Sequence, residues 1–188
     1  MKRISIKQFT FLTFHCLCAF AASSASAQPF EFDGKIVQRF EADNAYQAVA
    51  VGQDAFYAIS NVRLTRHDKN TGGALHQWDD SSQLSSPLIH LDSGVVLDKK
   101  LYSAHSNYPG WPMMSSVEVW DLTNMQHIET HSFGVMLGSF TWLDRHNGSW
   151  WGAFANYDIV QRGMTEPYGE TRNTVMVQFD DDFEVLQS

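Results

Sequence analysis

Beyond residue 27 the 188-residue sequence contains no cysteine, because Cys16 and Cys18 both lie in the first 27 residues. The later chain therefore cannot form a disulfide bond and must depend on a packed core for its stability. It also lacks the Gly-x-Ser-x-Gly motif of serine hydrolases and any glycine-rich phosphate-binding loop. These absences exclude a thiol nucleophile and give no support to a nucleotide-binding site.

Positive charge is scarce as well. Three of the 13 Lys and Arg residues precede residue 28, where no acidic residue occurs, so ten remain against 21 Asp and Glu, a net charge of −11. Nucleic acids and anionic lipid surfaces are bound by clustered Lys and Arg side chains. We therefore expect no nucleic acid and no membrane as partners, and a small-molecule ligand instead.

The first 27 residues have the three parts of a secretory signal peptide. Basic residues open the segment, residues 9–22 form an apolar stretch too short to span a bilayer comfortably, and residues 25–27 (Ala-Ser-Ala) form a small-x-small cleavage site. A retained N-terminal anchor is the alternative. We expect residues 1–27 to be removed and the domain to occupy 28–188 in a periplasmic or secreted protein.

A six-residue pattern occurs three times: an aromatic residue, any residue, Ala, any residue, Ser or Ala, and Asn. The copies lie at 56–61, 102–107 and 151–156, so their final Asn residues are 46 and 49 residues apart. A fixed period in the forties indicates a repeat architecture, and the short apolar segments between polar turns indicate antiparallel strands. We expect an all-β fold with three four-stranded units, at 46–78, 93–133 and 139–188. The aromatic residues of the pattern are expected in the core between units; they are Phe56, Tyr102 and Trp151.

Four-stranded units of this period are typical of propeller blades, and the chain resembles a β-propeller. The units share an apolar first strand, an aromatic second strand that ends in a polar residue, and a third strand that ends in Asp68, Asp121 or Asp180. This pattern is similar to the six-bladed gluconolactonase/paraoxonase-like and NHL-type propellers. The resemblance implies the N-terminal half of a six-bladed ring, in which 35–42 is the outer closing strand of a missing blade. Self-association of two copies through the open blade edges is the alternative.

The connections between second and third strands lengthen from the first unit to the third, which predicts a binding face. A His-x-Asp pair, His90 and Asp92, enters the same face, and His105 is expected to join it as a second catalytic candidate. The resemblance implies a Ca²⁺ ion in the channel, for which we expect Asp92, Asn107 and Asn156 as oxygen ligands. Each Asn also suits a turn at a strand end. The residues expected to contact a ligand from the loops are Tyr108, Trp111, Tyr157, Asp158 and Tyr168.

The expected function follows from this face. We expect an exported propeller that binds a small ligand at its channel mouth, and the resemblance implies a divalent-metal-dependent lactonase or esterase-like hydrolase. A non-catalytic propeller that binds sugar, peptide or protein through the loops 108–115 and 157–173 is the alternative. A quinone-cofactor enzyme is a third possibility.

Overall fold

The computed structural model describes residues 33–82, 86–135, 138–160, 165–167 and 169–188. The expected signal peptide and the expected ligand residue Tyr168 lie outside these ranges. The chain divides into two compact units, 1–37 and 38–188, and all strands belong to the second. No helix in the described part of the chain is long and apolar enough to cross a membrane.

The described residues contain twelve strands and one short 3₁₀ helix, at Thr171–Asn173. The strands are β1 (Ala48–Val51), β2 (Ala55–Ser60), β3 (Arg63–Asp68), β4 (Ala74–Asp79), β5 (Leu91–Leu97), β6 (Lys100–Ser106), β7 (Ser115–Asp121), β8 (Gln126–Gly134), β9 (Ser139–His146), β10 (Ser149–Ala155), β11 (Val175–Phe179) and β12 (Val185–Gln187). They form three antiparallel four-stranded sheets, each with its strands in chain order: sheet 1 (β1–β4), sheet 2 (β5–β8) and sheet 3 (β9–β12). The expected all-β fold with three four-stranded units is confirmed.

The sheets pack in the order of the sequence. Strand β5 of sheet 2 contacts β1 and β2 of sheet 1 on one side and β9 of sheet 3 on the other. The first strands of the three sheets therefore lie next to one another. The three sheets do not close into a ring.

Residues 35–42, expected as a lone closing strand, form no strand. Within the second compact unit, the ring of Phe40 stacks on that of Phe56, with centroids 5.6 Å apart. The segment that follows reaches β1, where the backbone N–H of Gln47 donates to the carbonyl of Ile59. The role of 35–42 in closing a blade stays a prediction.

The alignment of the first repeat was wrong by one residue. Asp68 at the end of β3 pairs with Ala55, whereas Asp121 at the end of β7 pairs with Lys100. The structural equivalent of Tyr102 is therefore Tyr57 and not Phe56. Because side chains alternate between the two faces of a strand, a shift of one residue exchanges the faces.

Two apolar cores lie between neighbouring sheets. The residues of the first, between sheets 1 and 2, include Tyr57, Ile59, Leu64, Leu91, Leu101 and Trp120. The residues of the second, between sheets 2 and 3, include Val117, Phe140, Trp150, Phe154, Val177 and Phe179, with Tyr102 packed against them. Trp151 is the structural equivalent of Tyr102 on sheet 3, but no described sheet packs against this face of sheet 3. It is therefore half-buried beside Trp142 rather than in a core.

The packing of the second core makes a testable prediction. Gly152 in β10 lies against the Phe140 ring, and an added Cβ would overlap that ring and lie 3.2 Å from Phe179. We expect Gly152→Val to lower the free energy of unfolding by about 1–3 kcal/mol, the usual cost of overpacking. Ala153→Val is the matched control, since Ala153 points to the opposite face of the same strand. Urea denaturation of both variants measures the difference, and equal losses would contradict this packing.

Candidate functional site

The site begins with a bulge in β5. Leu91 pairs with His105 and Gly94 pairs with Ser103, so Asp92 and Ser93 together face a single residue of β6. An extra residue of this kind locally bends a strand and re-aims its side chains. Here the bulge lies at the start of the first strand of sheet 2, where the β4–β5 connection enters the sheet.

Neighbouring contacts hold the bulge in place on both sides. The Ser93 hydroxyl oxygen accepts a hydrogen bond of 2.7 Å from the backbone N–H of Leu143 in sheet 3. On the side of sheet 1, a Cβ added to Gly94 would lie 2.5 Å from the Cδ1 atom of Ile59. The backbone of β5 is therefore fixed between its two neighbouring sheets, and the direction of the Asp92 side chain is fixed with it.

Asp92 is a largely buried carboxyl group beside a histidine. Its Oδ1 atom lies 3.6 Å from the Nε2 atom of His90, which is too long for a hydrogen bond. Its Oδ2 atom is buried and has no hydrogen-bond partner among the described residues. Burial raises the pKa of Asp92 to about 7 and lowers the pKa of His90. Both shifts favour a neutral acid beside a neutral imidazole.

Two tyrosines extend this pair toward sheet 3. The His90 and Tyr108 rings have centroids 5.1 Å apart, and the Tyr108 and Tyr157 rings meet edge to face at 5.7 Å. The pKa of Tyr157 is raised, first by burial and then by the negative charges that Asp92 and Tyr108 can carry. His90, Asp92, Tyr108 and Tyr157, four residues expected at the site, therefore form one cluster, which we call the β5 site.

The repeated Asn residues lie where their second strands end, at the same end of each sheet. Asn107 closes the 107–114 loop, since its Oδ1 accepts from the N–H of Met114 and its Nδ2 donates to the carbonyl of Pro112. Asn156 donates from Nδ2 to the carbonyl of Asn173 in the same way. These contacts are those of turn-capping residues, the alternative that the sequence left open.

Few side chains at this site could act as ligands of a calcium ion. The described residues hold no group of three or more His, Cys, Asp or Glu side chains that suits a metal ion. The Asn107 amide is engaged within its own loop, and Asp92 favours its protonated form, which is a poor ligand for a hard cation. These donors fit Ca²⁺ poorly, so we derive no step through a metal, and the calcium site stays a prediction.

His105 does not join Asp92, Tyr108 and Tyr157, although it lies close to His90, and its side chain is on the face of sheet 2 that is directed toward sheet 1. Its Nδ1 atom is 2.8 Å from the Ser116 hydroxyl oxygen and 3.7 Å from Oε1 of Glu118. Glu118, which the sequence analysis missed, is only 1% exposed and also contacts His127 and Thr130. The available signal was its place between Val117 and Val119, because a carboxylate in an apolar strand must find partners if it is buried.

The remaining loop residues differ in exposure. Trp111 is 60% exposed in the 107–114 loop, and Asp158 is exposed directly after Tyr157. Neither side chain is enclosed by the β5 site.

No family model and no curated protein matches the sequence. Among solved structures, the chain is similar to the computationally designed Ika4 protein, at 15% identity and a TM-score of 0.44. The match covers 81% of this chain and 96% of that one. This similarity is too low to identify a family or a function, so the assignment of function depends on the site itself.

The burial of Asp92 predicts a pH-dependent stability. A carboxyl whose pKa is raised in the folded state binds its proton more tightly there, so its ionisation penalises folding progressively from about pH 4 to 7 and fully above pH 7. We expect Asp92→Asn to raise the free energy of unfolding at pH 8 by about 1–3 kcal/mol, because the amide keeps the size of the carboxyl group but carries no charge to desolvate. The gain should shrink toward pH 4.

Asp158→Asn is the matched control, because Asp158 is exposed and its carboxylate is hydrated in both states. Denaturant unfolding between pH 4 and 8 measures both variants. A loss of stability in Asp92→Asn at pH 8, or an equal effect of the two substitutions, would contradict the buried state of Asp92.

Proposed function

We propose that the three sheets are consecutive blades of a β-propeller, and that the exported protein binds a small uncharged ligand at the β5 site and hydrolyses an ester or lactone there. The equal internal order of the sheets and the adjacency of their first strands support the propeller. One observation carries the function: the buried Oδ2 atom of Asp92 has no hydrogen-bond partner among the described residues and is therefore costly to the fold.

The chemistry of the pair suits general acid–base catalysis. A catalytic acid works best with a pKa near the working pH, and burial brings the pKa of Asp92 to about 7. Burial also keeps His90 in its neutral form, in which one ring nitrogen can accept a proton. In this mechanism His90 takes a proton from the attacking water. Asp92 gives its proton to the alkoxide that leaves as the C–O bond breaks, so an ester gives a carboxylic acid and an alcohol, and a lactone gives a hydroxy acid. Transfer of the proton from His90 to Asp92 through water then restores both groups.

The tyrosines define the character of the ligand. Tyr108 and Tyr157 provide aromatic rings that suit an apolar or cyclic ligand. An anionic ligand would meet a protein with a net charge of −11 after removal of residues 1–27, and a carboxyl group in the site itself. A neutral lactone or ester therefore fits better than its hydrolysed product, which favours release.

Hydrolysis of aliphatic lactones and p-nitrophenyl esters tests this function. We expect kcat/KM to fall by about 10²–10⁴-fold in Asp92→Asn, the usual contribution of a general acid. It should remain unchanged in Asp182→Asn, because Asp182 is exposed between β11 and β12 and is not part of the site. Activity of the unmodified protein should decline above about pH 7, where Asp92 loses its proton. Hydrolysis that survives in Asp92→Asn would overturn the role of this residue, and no hydrolysis above the buffer rate would overturn the enzyme.

Calcium binding is tested in a separate experiment. Calorimetric titration with CaCl₂, repeated with Asp92→Asn and in the presence of chelator, measures whether the predicted ion binds. Heat that disappears in the Asp92 variant supports a calcium ligand role for this carboxyl, whereas activity unaffected by chelator supports acid–base chemistry without the ion.

Exposure of Trp111 favours a second candidate, a non-catalytic propeller that binds sugar or peptide through its loops. The hydrogen bonds of Asn107 hold the 107–114 loop in one shape, and Trp111 presents 60% of its surface to solvent from it. A rigid exposed aromatic side chain is a common binding anchor. Tryptophan fluorescence quenching by oligosaccharides, lost in Trp111→Ala and kept in Asp92→Asn, would distinguish this function from hydrolysis.

The assembly proposed for the sheets is also testable. Sheet 3 presents Trp142, Trp151 and Met176 on the face away from sheet 2, and apolar blade faces associate when they are left uncovered. If two copies complete the ring, sedimentation velocity of residues 28–188 gives a dimer, and Trp151→Glu shifts it toward monomer. A monomer at micromolar concentration would contradict self-association through this face.

A further inference from the structure

A second cleft lies on the other face of sheet 2, away from the β5 site. It has a volume of about 330 Å³ between β6–β8 and residues 86–88. Pro87, Leu88 and Met114 form apolar parts of its wall, and its ionisable groups are His105, Glu118 and His127. The mechanism proposed for Asp92 and His90 uses none of these side chains.

Glu118 is held as a carboxylate in this wall. Its two oxygens accept hydrogen bonds from the hydroxyl groups of Ser116 and Thr130, both at 2.6 Å, and from Nε2 of His127 at 2.7 Å. Burial alone would raise the pKa of Glu118, but these three donors outweigh burial and lower it. A carboxylate has no proton to donate, so each of the three partners must be the donor.

This requirement fixes the proton on His105. The single hydroxyl hydrogen of Ser116 is given to Glu118, so the Ser116 oxygen can only accept from the Nδ1–H of His105, 2.8 Å away. Burial lowers the pKa of His105, and the Glu118 charge and the Pro87 carbonyl oppose this shift, whereas the nearby His90 and His127 add to it. In the neutral ring the Nε2 atom is then a bare acceptor.

The Nε2 atom of His105 has no hydrogen-bond partner in the described part of the chain, although the residue is only 6% exposed. A buried acceptor without a partner costs free energy, and a donor that reaches it recovers that cost. The side chain lines the cleft, and the surrounding apolar groups disfavour an ion that would have to lose its hydration there.

We propose that the cleft is a second ligand site, in which His105 accepts a hydrogen bond from the O–H or N–H group of a small uncharged molecule with an apolar body. Ser116 and Glu118 are positioning residues, because they hold the proton on Nδ1 and keep Nε2 free to accept. The site is independent of Asp92, so it is separable by experiment from the function proposed above.

Phenol and anisole are the probes, since they share a ring and differ in the hydroxyl hydrogen. In the ¹⁵N-labelled full chain we expect long-range ¹H–¹⁵N spectra to show the Nδ1–H tautomer of His105. Phenol should shift the Nε2 resonance and bind about five-fold more tightly than anisole, which is the effect of one neutral hydrogen bond. An Nε2–H tautomer in the free protein, or equal binding of the two probes, overturns the proposal.

Two variants test whether the phenol preference depends on the relay, by which we mean the hydrogen bonds that join His105 to Ser116 and Ser116 to Glu118. Ser116→Ala removes the group that holds the proton on Nδ1, so the phenol-to-anisole preference should fall to about one. Ser132→Ala is the matched control, because Ser132 lines the same cleft but donates nothing to Glu118. A Ser116→Ala protein that retains the tautomer and the preference contradicts the relay. If this variant does not fold, the tautomer and the preference of the unmodified protein decide the question.

Discussion

The candidate site depends on the fixed position of strand β5 between two sheets. Gly94 leaves the space that Ile59 of sheet 1 occupies, and Ser93 accepts a hydrogen bond from the backbone of Leu143 in sheet 3. Leu91 is fully buried in the first core. These contacts hold the backbone on both sides of Asp92, so the direction in which its side chain leaves the strand depends on contacts in both cores. The burial of Asp92 is therefore a consequence of the fold as a whole.

A buried carboxyl without a partner is a cost that a fold does not need. The rest of sheet 2 shows how the same chain satisfies such a group, since Glu118 is more deeply buried than Asp92 and receives three hydrogen bonds. Asp92 receives none at Oδ2 among the described residues. This contrast between two carboxyl groups of one sheet is the reason why we propose a positioning role for Glu118 and a role toward a ligand for Asp92.

The sequence predicted the features that depend on local pattern. Strand alternation, polar turns and the repeat period gave three four-stranded sheets, and the spacing of His90 and Asp92 gave their contact. It could not give features set by contacts between strands. The bulge at Asp92 is visible only in the pairing of β5 with β6, and the hydrogen bonds around Glu118 join residues of three strands. The register of the first repeat was wrong because the Asn pattern marks the end of a strand but not its pairing.

Direct titration of Asp92 tests the central claim. The carboxyl ¹³C resonance of Asp92, assigned by its absence in Asp92→Asn, can be followed by NMR from pH 3 to 9 in the folded protein. The account predicts a midpoint near the pKa of about 7 that burial imposes. A midpoint near 4, the ordinary value for an aspartate in water, would show that the carboxyl is hydrated or paired, and would contradict both the buried site and the acid chemistry proposed for it.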